Sequence, residues 1–74
     1  MDIEKKVFLL AILKKKDDES IKDIILQMED AKVFSFKEGK KILKEFKGEK
    51  LISENKLTFS GIGLAKAAEQ EFKL

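Results

Sequence analysis

The sequence predicts a mainly helical fold with one small β-hairpin. Three observations support this. Several stretches have apolar residues at the spacing of one buried helix face, and one of these stretches lies between the helix-start residue Ser35 and the helix-end residue Gly48. In addition, short segments in which apolar and polar residues alternate lie on both sides of Glu54-Asn55. The chain has 74 residues and no internal repeat or linker. Residues 1–74 are therefore predicted to form a single domain.

The first predicted helix runs from Asp2 to Lys16, with acids in its first turn and lysines in its last, as the helix dipole favours. Its apolar residues lie on two sides. One set contains Ile3, Val7, Leu10 and Ala11, and the other contains Phe8, Leu9 and Ile12. Because one small core cannot bury both sides, we expect the second set either to be covered by the C-terminal helix or to form a homodimer interface.

The second predicted helix follows the start signal Asp17-Asp18-Glu19-Ser20 and carries apolar residues at helical spacing from Ile21 to Met28. Residues 17–31 contain six acids and one lysine, a net charge of −5, whereas residues 33–50 contain six lysines and three acids, a net charge of +3. Charge is therefore segregated along the chain. Val33 and Phe34 are expected to fill the corner between the second and third helices.

The third predicted helix begins at Phe36, after an N-cap at Ser35 that forms a capping box with Glu38, and ends at Gly48 in a left-handed conformation. Its apolar face contains Phe36, Ile42, Leu43 and Phe46. The opposite face is lysine-rich and has no acid at its centre, with Glu38 and Glu45 on one flank. It comprises Lys37, Lys41 and Lys44, extended by Lys40 and Lys47.

A hairpin follows, in which residues 51–53 and 56–59 alternate around the two-residue turn Glu54-Asn55. Thr58 or Ser60 is then expected to cap a last helix. Its predicted core stripe is Gly61, Leu64, Ala65, Ala68 and Phe72. All the phenylalanines of the chain are also spaced as core residues.

Composition excludes several classes of function. The chain has no Cys and no His, so we expect no metal site, no cofactor, no small-molecule ligand and no enzyme activity. It is 43% hydrophobic and 41% charged, which is typical of a soluble globular domain. The apolar run at residues 7–13 is too short to span a bilayer and lacks the flanks of a secretory signal, so a cytoplasmic location is expected.

The order of these elements, with the residues at their ends, resembles the winged helix-turn-helix domains of small bacterial transcription regulators, the group of MarR-like and PadR-like proteins. The residues that carry the resemblance are Ser35, Gly39-Lys40-Lys41, Leu43, Phe46, Gly48, Leu51-Ile52, Leu57-Thr58, Gly61 and Leu64-Ala65. It covers nearly the whole chain. The implied fold is three helices, a two-strand wing and a C-terminal helix.

The resemblance also implies that the third helix enters the major groove of duplex DNA and that the wing approaches the backbone. The implied contacts are Ser35, Lys37, Lys40, Lys41, Lys44 and Lys56, made mostly to phosphates, in a homodimeric transcription regulator. All sixteen basic residues are lysines, and the arginine that commonly reads guanine is missing. One alternative is that the lysine face is only solvated. The other is a protein interaction module that does not bind DNA, and the acidic second helix and the short wing favour this module.

Overall fold

A computed structural model describes residues 2–73 of the chain. It is mainly helical with one antiparallel two-stranded hairpin, which confirms the predicted class. The elements are α1 (Ile3–Leu13), α2 (Ile21–Asp30), α3 (Phe36–Gly48), β1 (Ile52–Ser53), β2 (Lys56–Leu57) and α4 (Phe59–Phe72). No helix within these residues is both long and apolar enough to cross a membrane.

Helix α1 buries the side that the sequence predicts to lie either under the C-terminal helix or in a homodimer interface. Phe8, Leu9 and Ile12 are 0%, 0% and 3% exposed and lie in the core of their own chain, whereas Ile3 of the other set is 62% exposed. The prediction that these three residues form a dimer interface is therefore wrong. Helix α4 packs against α1 and buries its small residues Ala65 and Ala68, which permit close approach of two helices.

The core is organised around three phenylalanines from different elements. The Phe8 ring of α1 stacks on Phe46 of α3 at a centroid distance of 5.7 Å and meets Phe34 edge-on at 5.2 Å. Phe34 lies in the turn between α2 and α3, where its burial confirms the predicted corner. These contacts fix α3 from its inner side.

Helices α2 and α3 end in the same way, and neither end uses a glycine. The left-handed residues are Lys32 and Lys50, with φ of 61° and 60°. At both helix ends the backbone N–H of the next residue donates a hydrogen bond to the carbonyl five positions earlier: Val33 donates to Met28, and Leu51 donates to Phe46. No glycine within residues 2–73 has a positive φ, so the expectation that Gly48 ends α3 in the left-handed conformation is wrong.

The hairpin turns at Glu54-Asn55 as predicted, with φ of 50° and 68°, the pair of positive angles that a tight two-residue hairpin loop needs. Its strands contain only two residues each. Thr58 then caps α4: its hydroxyl oxygen accepts from the Gly61 N–H at 3.1 Å and donates to the Lys50 carbonyl at 2.6 Å. The hairpin and α4 therefore share one hydrogen-bonded joint.

Candidate functional site

The exposed side of α3 carries five lysines, which we call the lysine face: Lys37, Lys40, Lys41, Lys44 and Lys47. At about 100° per residue they span an arc of about 120° on the helix, and no acid lies within that arc. All five side chains are exposed. Within residues 2–73, none of them forms an ion pair with a carboxylate. The predicted cationic face is therefore present and uncompensated.

The acidic flank of α3 is held against α1. Glu45 Oε2 lies 3.0 Å from the Nζ atom of Lys5, and this hydrogen-bonded ion pair raises the pKa of Lys5 above its ordinary value. Two more ion pairs link α1 to α4, from Lys6 to Glu71 and from Lys14 to Glu69, both at 2.9 Å. Lys5 and Lys6 of α1 and Lys14 at its C-cap are thus engaged within the protein, in contrast to the lysines of the lysine face.

The start of α3 is satisfied by side chains of its own protein. The hydroxyl of Ser35 accepts a hydrogen bond from the Glu38 N–H at 3.1 Å. Within residues 2–73 the reciprocal bond from the Ser35 N–H to the Glu38 side chain is not formed, so only the serine half of the predicted capping box is present. A carboxylate oxygen of Glu29, from α2, accepts from the Phe36 N–H at 3.1 Å. Ser35 is exposed, but its geometry assigns it a capping role, and Glu29 places negative charge where an incoming phosphate would meet the helix start.

Several acids of residues 17–31 also serve backbone groups. Glu19 accepts from the Lys16 N–H at 2.9 Å and from the Gln27 side chain at 2.8 Å, and Asp23 accepts from the Ser20 N–H at 3.0 Å in a complete capping box. These backbone hydrogen bonds lower the pKa values of Glu19 and Asp23. Part of the acidity of α2 therefore has a structural cause.

Lys56 lies apart from the lysine face. The tip of the hairpin is anchored on α2, where the Ile21 N–H donates to the Asn55 side-chain oxygen at 3.0 Å. Lys56 is exposed and borders a shallow depression near the end of α1, together with Lys15 and Asp17. Of the predicted contact residues, the structure brings the four lysines of α3 together on one helix face and places Lys56 in a different group.

A groove between α2 and α3 adjoins the lysine face. Its volume is about 170 Å³, and it is lined by Ile25, Phe36 and Leu43 with Lys22 and Lys40 beside them. The Nζ atom of Lys40 lies 5.6 Å from the centre of the Phe36 ring. Lys22 was not among the predicted site residues. Lys22 lies three residues before Ile25, on the flank of α2 that packs against α3, and no local pattern of the sequence indicates that packing.

Apolar side chains are also exposed on α4. Phe59 is 93% exposed and Leu64 is 41% exposed, and Phe72 at the far end is 40% exposed. The prediction that all phenylalanines belong to the core is therefore wrong for Phe59 and Phe72, and the prediction that Leu64 belongs to the core stripe of α4 is also wrong. The buried residues of α4 are Gly61, Ala65 and Ala68.

Comparison with protein-family models, curated proteins and solved structures finds no match to this chain. Within residues 2–73 no group of three or more carboxylates is arranged to hold a metal ion. The arrangement on α3 is suited to one kind of chemistry, the binding of anions at an exposed surface, since it offers several point charges and no enclosing cavity.

Proposed function

We propose that this chain is a winged helix-turn-helix protein that binds duplex DNA in a regulatory role, with α3 in the major groove. The observation that carries the proposal is the lysine face: five exposed lysines on one side of one helix, with no acid among them and no ion pair to any carboxylate of residues 2–73. The element order supports it, since α2 and α3 pack against each other and are followed by the hairpin and then by α4.

The chemistry of lysine specifies what would be contacted. A lysine ammonium is a compact point charge that neutralises phosphate without discriminating between bases, and the chain has no arginine to read guanine. Binding therefore rests on the DNA backbone, with low sequence specificity. Lys56 and the hairpin are left out of this contact set because the hairpin tip is anchored on α2.

Fluorescence anisotropy of a labelled mixed-sequence duplex, titrated with the protein at several salt concentrations, tests the proposal. If about four phosphates are neutralised, the logarithm of the binding constant falls against the logarithm of salt concentration with a slope of roughly −3 to −4. A slope near zero, or no binding at low salt, would remove the proposal.

Charge reversal at the centre of the lysine face locates the surface. We expect Lys37→Glu with Lys44→Glu to weaken binding at least about tenfold while the melting temperature stays nearly unchanged, because both side chains are exposed. The matched control is Lys66→Glu with Lys73→Glu, which makes the same change in net charge on the exposed side of α4 and beyond its end. Equal losses in both variants would mean that net charge, and not the lysine face, determines binding.

A second candidate function is a protein interaction module that does not bind DNA. The exposure of Phe59 favours it, since a fully exposed aromatic side chain is a common contact residue at protein interfaces. If the chain is such a module, the wild type shows no DNA binding in the anisotropy titration at low salt. If the chain binds DNA, Phe59→Ser leaves the titration unchanged.

A further inference from the structure

The α2–α3 groove has the size and lining of a site for one apolar side chain. Its lining residues Ile25, Phe36 and Leu43 are buried or half-buried, so the floor is fixed by the core. The volume of about 170 Å³ is well below the volume of about 300 Å³ or more that a drug-sized ligand occupies. Lys22 and Lys40 add positive charge on both sides of the opening. The groove therefore fits an apolar residue that is accompanied by carboxylates.

The chain itself presents such a residue. Leu26 is 41% exposed on α2, with Asp23 one turn before it and Glu29 and Asp30 one turn after it. Within residues 2–73, Asp30 is exposed and forms neither an ion pair nor a side-chain hydrogen bond. The surface of α2 is thus acidic around an exposed leucine. The groove of the same chain cannot receive Leu26, because one wall of that groove is formed by α2 itself, the rigid helix that carries Leu26.

We propose that the α2–α3 groove is a self-association site that receives Leu26 of a second copy of this chain. The charges are complementary, because Lys22 and Lys40 at the groove meet the acidic last turn of the second copy's α2. This interface would replace the wrongly predicted one on α1. Its Lys22, Leu26 and Lys40 side chains are exposed in the monomer.

The position of Leu26 makes the contact self-complementary. Leu26 follows Lys22 by one helical turn, so it stands on the outer wall beside the groove. In the dimer, the α2 helices of the two copies pair antiparallel, and Leu26 of each copy lies opposite the groove of the other. Lys22 of each copy then lies opposite the last turn of the other copy's α2, which carries Glu29 and Asp30. The two copies are then related by a two-fold axis, and the contact closes as a dimer.

The patch is small, so the dimer is weak and depends on salt. One leucine in a shallow groove and a few exposed ion pairs bury less than a standard stable interface does. Salt screens these pairs, so dissociation is favoured at high ionic strength. If the proposed DNA function holds, DNA and the second copy compete for Lys40. The self-association itself does not depend on that function.

Sedimentation equilibrium at low salt over a range of protein concentrations, without DNA, tests the inference. We expect the average mass to rise from one chain towards two with concentration. Leu26→Asp should raise the dissociation constant at least about tenfold. The matched control is Leu64→Asp on α4, since Leu26 and Leu64 are equally exposed at 41%, and it should leave the dimer intact. A monomer at every concentration, or loss of the dimer only in Leu64→Asp, would overturn the proposal.

A charge exchange tests the contact itself. We expect Lys22→Glu alone to weaken the dimer and the combination of Lys22→Glu with Asp30→Lys to restore it, because the exchange rebuilds the pair between copies. Within one helix these positions are eight residues and about 12 Å apart, too far to pair directly. Failure of the exchange to restore association in a folded protein, checked by circular dichroism, would contradict the proposed pairing.

Discussion

The two faces of α3 contrast in nearly every property although they alternate along the same thirteen residues. The inner face places Gly39, Ile42 and Phe46 in the core. Gly39 lies against Phe34 and Ile25, and Phe46 stacks on Phe8. The outer face carries lysines that are exposed and unpaired within residues 2–73. Positioning and binding are therefore assigned to different sides of one helix, and a substitution on one side should leave the other property unchanged.

The largest expected effect comes from the inner face. Phe46 is 1% exposed and stacks on Phe8, so Phe46→Ala should lower the free energy of unfolding by about 3–5 kcal/mol. Lys44→Ala, two residues earlier on the outer face, should change it by no more than about 0.5 kcal/mol. Urea denaturation measures both.

Lys44→Ala should instead affect binding: it should reduce the magnitude of the salt slope for DNA by about 1. If Lys44→Ala destabilised the protein as much as Phe46→Ala, the two faces would not be separable and the contrast would fail.

The sequence predicted the bounds of α3 correctly because its signals are local. A serine N-cap, apolar residues at helical spacing and the lysines between them all lie within the helix, and the two-residue turn at Glu54-Asn55 is equally local. The lysine face follows from the same periodicity. These features required no knowledge of what packs against the helix.

The orientation of α1 was missed because it depends on partners distant in the sequence. Both sides of α1 are apolar, so periodicity could not select one. The buried side is the one whose Phe8 contacts Phe34 and Phe46, twenty-six and thirty-eight positions later. The cap from Glu29 to Phe36 and the anchoring of Asn55 on Ile21 are also tertiary contacts without a local signal. Lys22 was missed for the same reason, since only the packing of α2 on α3 places it beside Lys40.

The two glycines of α3 should respond to alanine with opposite signs. A Cβ atom at Gly39 would lie 2.6 Å from the Phe34 ring and 2.7 Å from a methyl group of Ile25, so Gly39→Ala should destabilise by about 1–3 kcal/mol. In the part of the chain that the structure describes, nothing lies within 4 Å of a Cβ atom at Gly48. There the gain in helix propensity is unopposed, and Gly48→Ala should stabilise by about 0.5–1 kcal/mol.

Thermal unfolding of the two variants under identical conditions gives both signs in one experiment. Stabilisation by Gly39→Ala would mean that α2 and α3 pack less closely at Gly39 than the structure shows. The inner face of α3 would then not be held tightly by its neighbours.

The smallest expected effect concerns the acidic flank between the two faces. Glu45, aided by Asp2 and Glu49, raises the pKa of Lys5 above its ordinary value of 10.5. A group whose pKa is raised on folding stabilises the protein fully below its ordinary pKa, and that contribution is lost as the pH rises through the raised value. The stability advantage of the wild type over Glu45→Gln should therefore be small and constant at pH values well below 10.5, and it should decline as the pH rises above 10.5. Urea midpoints across this range measure it, with Glu38→Gln as a control that removes the same charge from the same flank. An advantage that persists unchanged at the highest pH would show that Glu45 stabilises α3 by another route than its pair with Lys5.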